Sequence, residues 1–302
     1  AVPATIRAVL HACRHQMKIL TWNVQWFCGL DGVVDVARVV AHARAMADFD
    51  VLCLQEVAIN YPRLDGDASQ DQPQQLRELL PGFEVFFGAA VDELAPDGKS
   101  RQRFGNLIAT RLPVAQVHHY TLPYPADATP GGVRSMPRIC VSATVLTTIG
   151  PVRFMTTHLE FYSPAMRMAQ ARELLRLHAQ GCALAAHPPL LDDTGSPFQS
   201  KPHTAHCILT GDFNFEPDSD EYALLQTPQV GASRLVDAWT LAHAGTPHAP
   251  TFRLHDRRYG PEPISCDFLF VSDGLAPRVR RVDVDLVTRV SDHQPVLLEI
   301  AT

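Results

Sequence analysis

The chain has 302 residues, room for one large domain or two smaller ones, and 46% of them are hydrophobic, enough for a substantial core and too many for a mainly disordered chain. The formal net charge is −6 and the pI about 6.1. That balance excludes a general attraction to nucleic acid or anionic membrane, and leaves a local basic patch or a bound cation to reverse the sign at one place.

The first sixteen residues, AVPATIRAVLHACRHQ, fit no strand well and read as a peripheral extension ahead of a catalytic-size unit over 17–302. Strand 17–22 (MKILTW) comes next, then a helix over 33–47, strand 51–55 (VLCLQ) and a helix over 72–80. Strands 84–88 and 105–110 flank a loop at 89–103, and 138–147 and 152–158 form the next strand pair. The clearest helix is 164–179, with Pro164 in its first turn after Ser163. A Pro-rich loop at 184–205 leads to strand 206–210, a short helix at 220–227, and strands 266–271 and 295–301. Strands interspersed with helices, together with strand pairs on short connections, indicate α/β layers on a mixed sheet.

No run of about 18 apolar residues spans a membrane, and no signal peptide is evident. The seven cysteines (13, 28, 53, 140, 182, 207 and 266) are odd in number, form no CxxC and lie mostly inside apolar runs. They read as buried free thiols, which points to a reducing, cytoplasmic setting. A monomer is expected.

The strand ends carry the chemistry. Asn23 follows ILTW, Glu56 follows VLCLQ, and FMTT leads to His158 and Glu160. ILTG leads to Asp212 and Asn214, Asp267 opens DFLFVS, and Ser291-Asp292-His293 precedes the last strand. Each alone has an ordinary explanation: a turn-forming Asn or Asp, an exposed strand-end charge, a structural His. Together they supply what a phosphate ester requires. Carboxylate and amide oxygens suit a hard cation such as Mg²⁺. His and Asn donate to phosphate oxygens as charge builds, an Asp takes a proton from water, and a second Asp orients a His. Asp212 and Asn214 share a face, with Phe213 opposite, if the strand persists that far.

TWNVQ (21–25), LQEV (54–57), GNLIATRLPV (105–114), THLE (157–160), TGDFNFEP (210–217), LVDAW (235–239), CDFLFVS (266–272) and SDHQPV (291–296) resemble, in order, the motif set of the endonuclease/exonuclease/phosphatase superfamily. The resemblance covers 17–301 and implies a four-layer sandwich: two mixed β-sheets face to face, helices outside. It also implies a Mg²⁺- or Mn²⁺-dependent phosphoester hydrolase. Carried over, Glu56 is the principal metal ligand with Asn23 and Asp292 near the metal. Asp212 activates or positions the attacking water, and Asn214 binds a phosphate oxygen. His158 and His293 contact the scissile phosphate, and Asp267 pairs with His293. Position 25 is Gln where the abasic-site enzymes carry an acid, which removes a second metal contact from the first motif. THLE is common to several branches and chooses no substrate.

For the substrate, Arg138 in GGVRSMPRICV is expected to clamp a phosphate, and Asn106 to hydrogen-bond within the site. Arg134 is either a solvated charge or a second contact. Arg167, Arg172 and Arg176 read as a solvated helix face. PTFRLHDRRYG (250–260) sets Phe252 and Tyr259 among arginines, which suits a nucleotide or another phosphorylated group. A nucleic-acid-type phosphoester is the leading expectation, and a phospholipid headgroup or small phosphorylated metabolite the alternative. A non-catalytic binding module is disfavoured because the polar set is intact.

Overall fold

The computed structural model describes residues 16–302. The expected extension at 1–16, Cys13 included, lies outside the described residues apart from Gln16. In chain order the strands are β1 (Gln16–Asn23), β2 (Val51–Tyr61), β3 (Ala68–Asp71), β4 (Glu84–Leu94), β5 (Arg101–Thr110), β6 (Val114–Thr121) and β7 (Ile139–Thr147). They continue as β8 (Gly150–His158), β9 (Cys207–Asp212), β10 (Leu235–Asp237), β11 (Asp267–Ser272), β12 (Val279–Val284) and β13 (Val296–Ala301). The helices are α1 (Val36–Met46), α2 (Gln72–Leu79), α3 (Pro164–Ala186), α4 (Asp220–Leu225) and α5 (Ala238–Ala242).

One sheet has the order β12-β13-β1-β2-β5-β4, with β3 paired to β2, and the other runs β10-β11-β9-β8-β7-β6. β1–β2 and β8–β9 are parallel. The remaining pairs are antiparallel, so both sheets are mixed. Side chains alternate between two buried faces. Ile19, Val51, Phe154, Ile208 and Leu269 meet between the sheets. Leu20, Trp22, Leu52 and Leu54 turn outward onto Val39, Val40 and Ala43 of α1 and Leu76 of α2. Met155 and Leu209 turn outward onto Ala171 and Leu174 of α3. The helices thus cover the outer faces, and the result is the expected four-layer sandwich. Burial on both faces is why the strands read as unbroken apolar runs.

Helix α3 starts as its sequence dictates, with the Ser163 hydroxyl accepting from Met166 N–H ahead of Pro164, but it runs beyond residue 179 to Ala186. The expected loop at 89–103 is instead a hairpin: β4 continues to Leu94 and β5 begins at Arg101. Its arms overhang the core, so they carry no apolar alternation. The backbone ladder holds them, with Asp92 paired to Arg101 and Arg103. Strands β3, β6, β10 and β12 are short or at sheet edges, and for the same reason the hydrophobic pattern does not announce them. The six described cysteines are free and buried. No described helix is long and apolar enough to cross a membrane.

Candidate active site

Strand register assembles the first half of the site. His158 at the end of β8 lies level with Asp212 at the end of β9, and Asp212 lies level with Asp267 at the start of β11. The facing sheet supplies the second half, where β1 and β2 end together with Asn23 level with Gln55. The next residue, Glu56, sits in a bulge: pairing with β5 jumps between Leu54 and Val57, and Glu56 has φ +61°. That conformation is costly for a residue with a side chain and turns the carboxylate out of the ladder.

Asn23 ties the two sheets together. Its Nδ2 donates to Glu56 Oε1 at 3.2 Å and to Asp212 Oδ2 at 2.9 Å, while its Oδ1 accepts from Gln25 N–H at 3.0 Å. The Gln25 bond fixes the amide's orientation, so an N–H face meets both acids. His158 approaches Asp212 Oδ2 at 3.4 Å through Nε2 and Glu56 Oε1 at 3.8 Å through Nδ1. His293 Nε2 lies 3.6 Å from Asp212 Oδ2, and its Nδ1 is 2.9 Å from Asp267 Oδ2. The chain leaves β-geometry immediately after Asp212. Asn214 takes φ +52°, its N–H donates to Asp212 Oδ1 at 3.0 Å, and its Nδ2 donates to the Leu159 carbonyl at 2.9 Å. Phe213 turns away into the outer core against Phe268 and Phe270, but Asn214 reaches the site through a turn rather than a continued strand.

The same enclosure drives the two imidazoles apart. For His158, burial and the nearby Arg138 guanidinium push the pKa down to about 3, which keeps the ring neutral. For His293, burial also opposes the charge, but Asp267 and Asp212 outweigh it and hold the pKa up at about 10. Burial alone would raise Asp212; the two imidazoles and the donors from Asn23 and Asn214 outweigh it and keep the acid below its ordinary range. Glu56 is pushed up to about 7, first by burial and then by the charge of Asp292. Asp292 is raised as well, by burial against the pull of His293 and with the push of Asp212.

Glu56 and Asp292 are therefore two acids raised by burial, with Asp292 raising Glu56 further, a pair short of positive charge. Hard oxygen donors in that condition fit a divalent cation of the Mg²⁺ type. A tighter cluster, Asp212, Cys266 and His293, brings three ligand atoms within 4.8 Å of one another, all buried. Burial, Asp212 and Asp267 raise the Cys266 thiol well above its ordinary pKa, so it stays protonated and suits a hard cation poorly.

The sequence model of the Endonuclease/Exonuclease/phosphatase family matches residues 20–293. This chain is a member of that family. Its members hydrolyse phosphoesters, and the chain takes its place among them. A family member from Beutenbergia cavernae DSM 12333 is similar in structure with a TM-score of 0.67 and 26% identity, over 95% of this chain and 72% of that one. The Bacteroides thetaiotaomicron VPI-5482 mannosyl-6-phosphatase Bt3783 shares the fold with a TM-score of 0.64 at 19% identity, over 95% of this chain and 100% of the other. D. rerio TDP2, complexed with single strand DNA product, shares it with a TM-score of 0.62 at 20% identity, over 96% of this chain and 100% of the other. No curated protein sequence matches the chain significantly. A sugar phosphatase and a DNA-bound protein on one fold leave the substrate to be argued from the site.

Not every expected residue of this family member faces the site directly. Asn106 stands on β5 opposite the Glu56 bulge, buried, and its Nδ2 donates to the Ile139 carbonyl of the other sheet at 2.9 Å. It fastens the residue after Arg138. Arg138 is 5% exposed, and two of its guanidinium nitrogens, Nε and Nη1, have no hydrogen-bond partner. Arg167 is not a solvated charge: it is held by Glu221 at 3.1 Å and by the carbonyls of Glu160 and Phe161. Three supports escaped the sequence reading. The Phe252 ring stacks on His293 with centroids 4.2 Å apart and planes at 17°. Trp22 Nε1 donates to the His293 carbonyl at 2.9 Å. The Thr251 hydroxyl accepts from the N–H groups of Cys266 and Asp267, both at 3.1 Å. Only the neighbourhood of Phe252 and Thr251, in PTFR, offered a signal.

Proposed function

We propose that this chain cleaves a phosphodiester or phosphomonoester of nucleic-acid type by attack of a water whose proton passes to Asp212. The observation that carries this reading is the meeting of the Asp212 carboxylate with two imidazoles, His158 Nε2 at 3.4 Å and His293 Nε2 at 3.6 Å. Asp212, held below its ordinary range, is present as the carboxylate and so can receive a proton. His293, held charged by Asp267 and Asp212, donates toward a phosphate oxygen as negative charge develops. Neutral His158 holds the approach to Asp212 without adding a second cation. Arg138 supplies a planar fork for phosphate oxygens, and Asn214 has one amide N–H left to give beyond its bond to Leu159. Glu56 and Asp292 would hold a Mg²⁺ or Mn²⁺ ion, with Asn23 orienting Glu56. When bound, that ion supplies charge neutralisation at the phosphate and at the leaving oxygen.

Two measurements test the chemistry. Hydrolysis of bis-p-nitrophenyl phosphate should require Mg²⁺ or Mn²⁺ and stop in EDTA; activity that survives the chelator sinks the mechanism. Glu56→Gln should weaken Mn²⁺ binding in calorimetry by roughly tenfold or more with the thermal midpoint kept, since it removes a charged ligand from a set with few acids. An unchanged affinity would remove Glu56 from the cation site.

The nucleic-acid reading rests on the rings at the rim. From His293 the stack passes to Phe252 and on to Tyr259, with centroids 6.0 Å apart and planes at 29°. Phe161 contacts both Phe252 and Tyr259 edge-on at 6.5 Å and meets Tyr162 at 4.8 Å. Tyr162 and Tyr259 are 45% and 44% exposed. Exposed flat rings beside a phosphate site suit unstacked bases, each base worth about 1–3 kcal/mol. Tyr259→Ala should raise KM for a single-stranded oligonucleotide about tenfold with kcat held within about twofold. An equal rise for a sugar phosphate would transfer the assignment to a small phosphorylated metabolite.

A further inference from the structure

The segment that follows β8 carries a second acid besides the groups around Asp212. Glu160 is fully buried, and an enclosed carboxylate is stable only when its oxygens are occupied. Here they are. Oε1 accepts from Tyr162 N–H at 2.8 Å, and Oε2 accepts from the Ser135 hydroxyl at 2.5 Å. Its backbone is fixed as well. Glu160 N–H donates to Gln170 Oε1 at 2.9 Å, and Arg167 Nη1 donates to its carbonyl at 3.1 Å. Gln170 in turn donates to the Pro123 carbonyl at 3.2 Å. Glu160 is thus pinned from α3, from its own turn and from the segment leading into β7.

Among the described residues its one cationic neighbour besides this framework is Arg138, whose Nη2 lies 3.7 Å from Glu160 Oε2. That distance is an ion pair without a close hydrogen bond. Nε and Nη1 of the same guanidinium are buried and unpartnered. Burial works against this charge, and Glu160, Glu56 and Asp212 in that order sustain it. The guanidinium is therefore anchored at Glu160 and within electrostatic reach of two acids of the site, Glu56 and Asp212. Without Glu160, it would be drawn onto Glu56 and Asp212 and would neutralise the groups that a cation and a water proton need. With that acid in place, one edge is tethered by charge, and Nε and Nη1 remain buried donors that no protein group satisfies.

We propose that Glu160 is the positioning residue that holds Arg138 off the acids of the site and aims its unpaired N–H donors at the substrate phosphate. This rests on the reading of Arg138 as a phosphate clamp. Glu160 itself touches neither substrate nor reacting atoms.

The test is a double-mutant cycle with steady-state kinetics on bis-p-nitrophenyl phosphate and Mn²⁺. Glu160→Gln keeps the shape: its Oε1 can still accept from Tyr162 N–H and its Nε2 can donate to the Ser135 hydroxyl oxygen, but the charge is lost. It is expected to lower kcat/KM about tenfold, with most of the change in KM. In an Arg138→Met background Glu160→Gln is expected to have no further effect, because nothing remains to aim. If Glu160→Gln costs the same factor in both backgrounds, Glu160 is a general structural support and the positioning role is overturned. If Arg138→Met is itself silent while Glu160→Gln is not, the clamp reading fails and carries this proposal with it. Should the glutamine variant fail to fold, Glu160→Asp draws the charge back from Arg138 by one methylene, and the same comparison of backgrounds decides.

Discussion

Asp212→Asn is expected to lower kcat/KM by roughly 10²–10⁴-fold, the range for loss of a positioned general base. The substitution is close to isosteric, and the amide oxygen can still accept from Asn214 N–H. What it cannot do is present an anion to Asn23 Nδ2 at 2.9 Å, His158 at 3.4 Å and His293 at 3.6 Å. An amide there sets N–H against N–H at one of these contacts, and it removes one of the three charges that keep His293 protonated. The loss therefore combines a missing proton acceptor with a weakened donor. Because both act through one group, adding His293→Ala to Asp212→Asn should cost much less than the product of the single effects. Turnover of bis-p-nitrophenyl phosphate and the thermal midpoint should be measured together. A fall of less than about tenfold in a stably folded variant would mean that another group takes the proton.

Gly211→Ala should have the largest effect on stability, on the order of 3–5 kcal/mol, from backbone strain and steric overlap together. Gly211 lies inside β9 with φ +144°, a conformation that side-chain-bearing residues avoid. A methyl group on its α-carbon would run into the backbone carbonyl of Thr157 on the neighbouring parallel strand. Backbone cannot yield as a flexible side chain can, so the β8–β9 ladder must open where His158 and Asp212 are aligned. Thermal or urea unfolding checks this, with residual activity alongside. A variant within about 1 kcal/mol of the parent would show that the strand relaxes without strain. The glycine of TGDFN is thus as much a part of the site's construction as the acid that follows it.

The sequence disclosed the polar strand ends of the central strands more readily than the elements at the sheet edges. Residues of the central strands are buried on both faces, so MKILTW, VLCLQ and CILT stand out as apolar runs, and each polar residue that ends such a run is conspicuous. That is why Asn23, Glu56, His158 and Asp212 could be picked out and why the structure brings them within hydrogen-bonding or ion-pair reach of one another. Edge elements lack this contrast. VAQVHHYT (β6) and VRRVDV (β12) each present half-exposed side chains, and the hairpin arms beyond Gly88 rest on backbone pairing that any polar sequence can supply. The bulge at Glu56 was silent, since Glu rarely takes a positive φ, whereas Asn214 is of a type that favours the turn it makes. Glu160 was visible as a strand-end acid, but its partner Arg138 lies twenty-two positions upstream, and only the pairing of β7 with β8 brings the two together.

The row of His158, Asp212 and Asp267 is held by backbone ladders in the middle of a sheet, whereas Tyr162, Phe252 and Tyr259 ride on the connections that follow or precede those strands. On the proposed function, reactivity and choice of ester are therefore written on separable parts. The connections could be exchanged between relatives, or lengthened and re-coloured with other side chains, without disturbing the alignment that makes hydrolysis possible. A selection experiment on 250–260 and 161–162 is the natural way to ask how many different phosphates one such platform can be taught to cut.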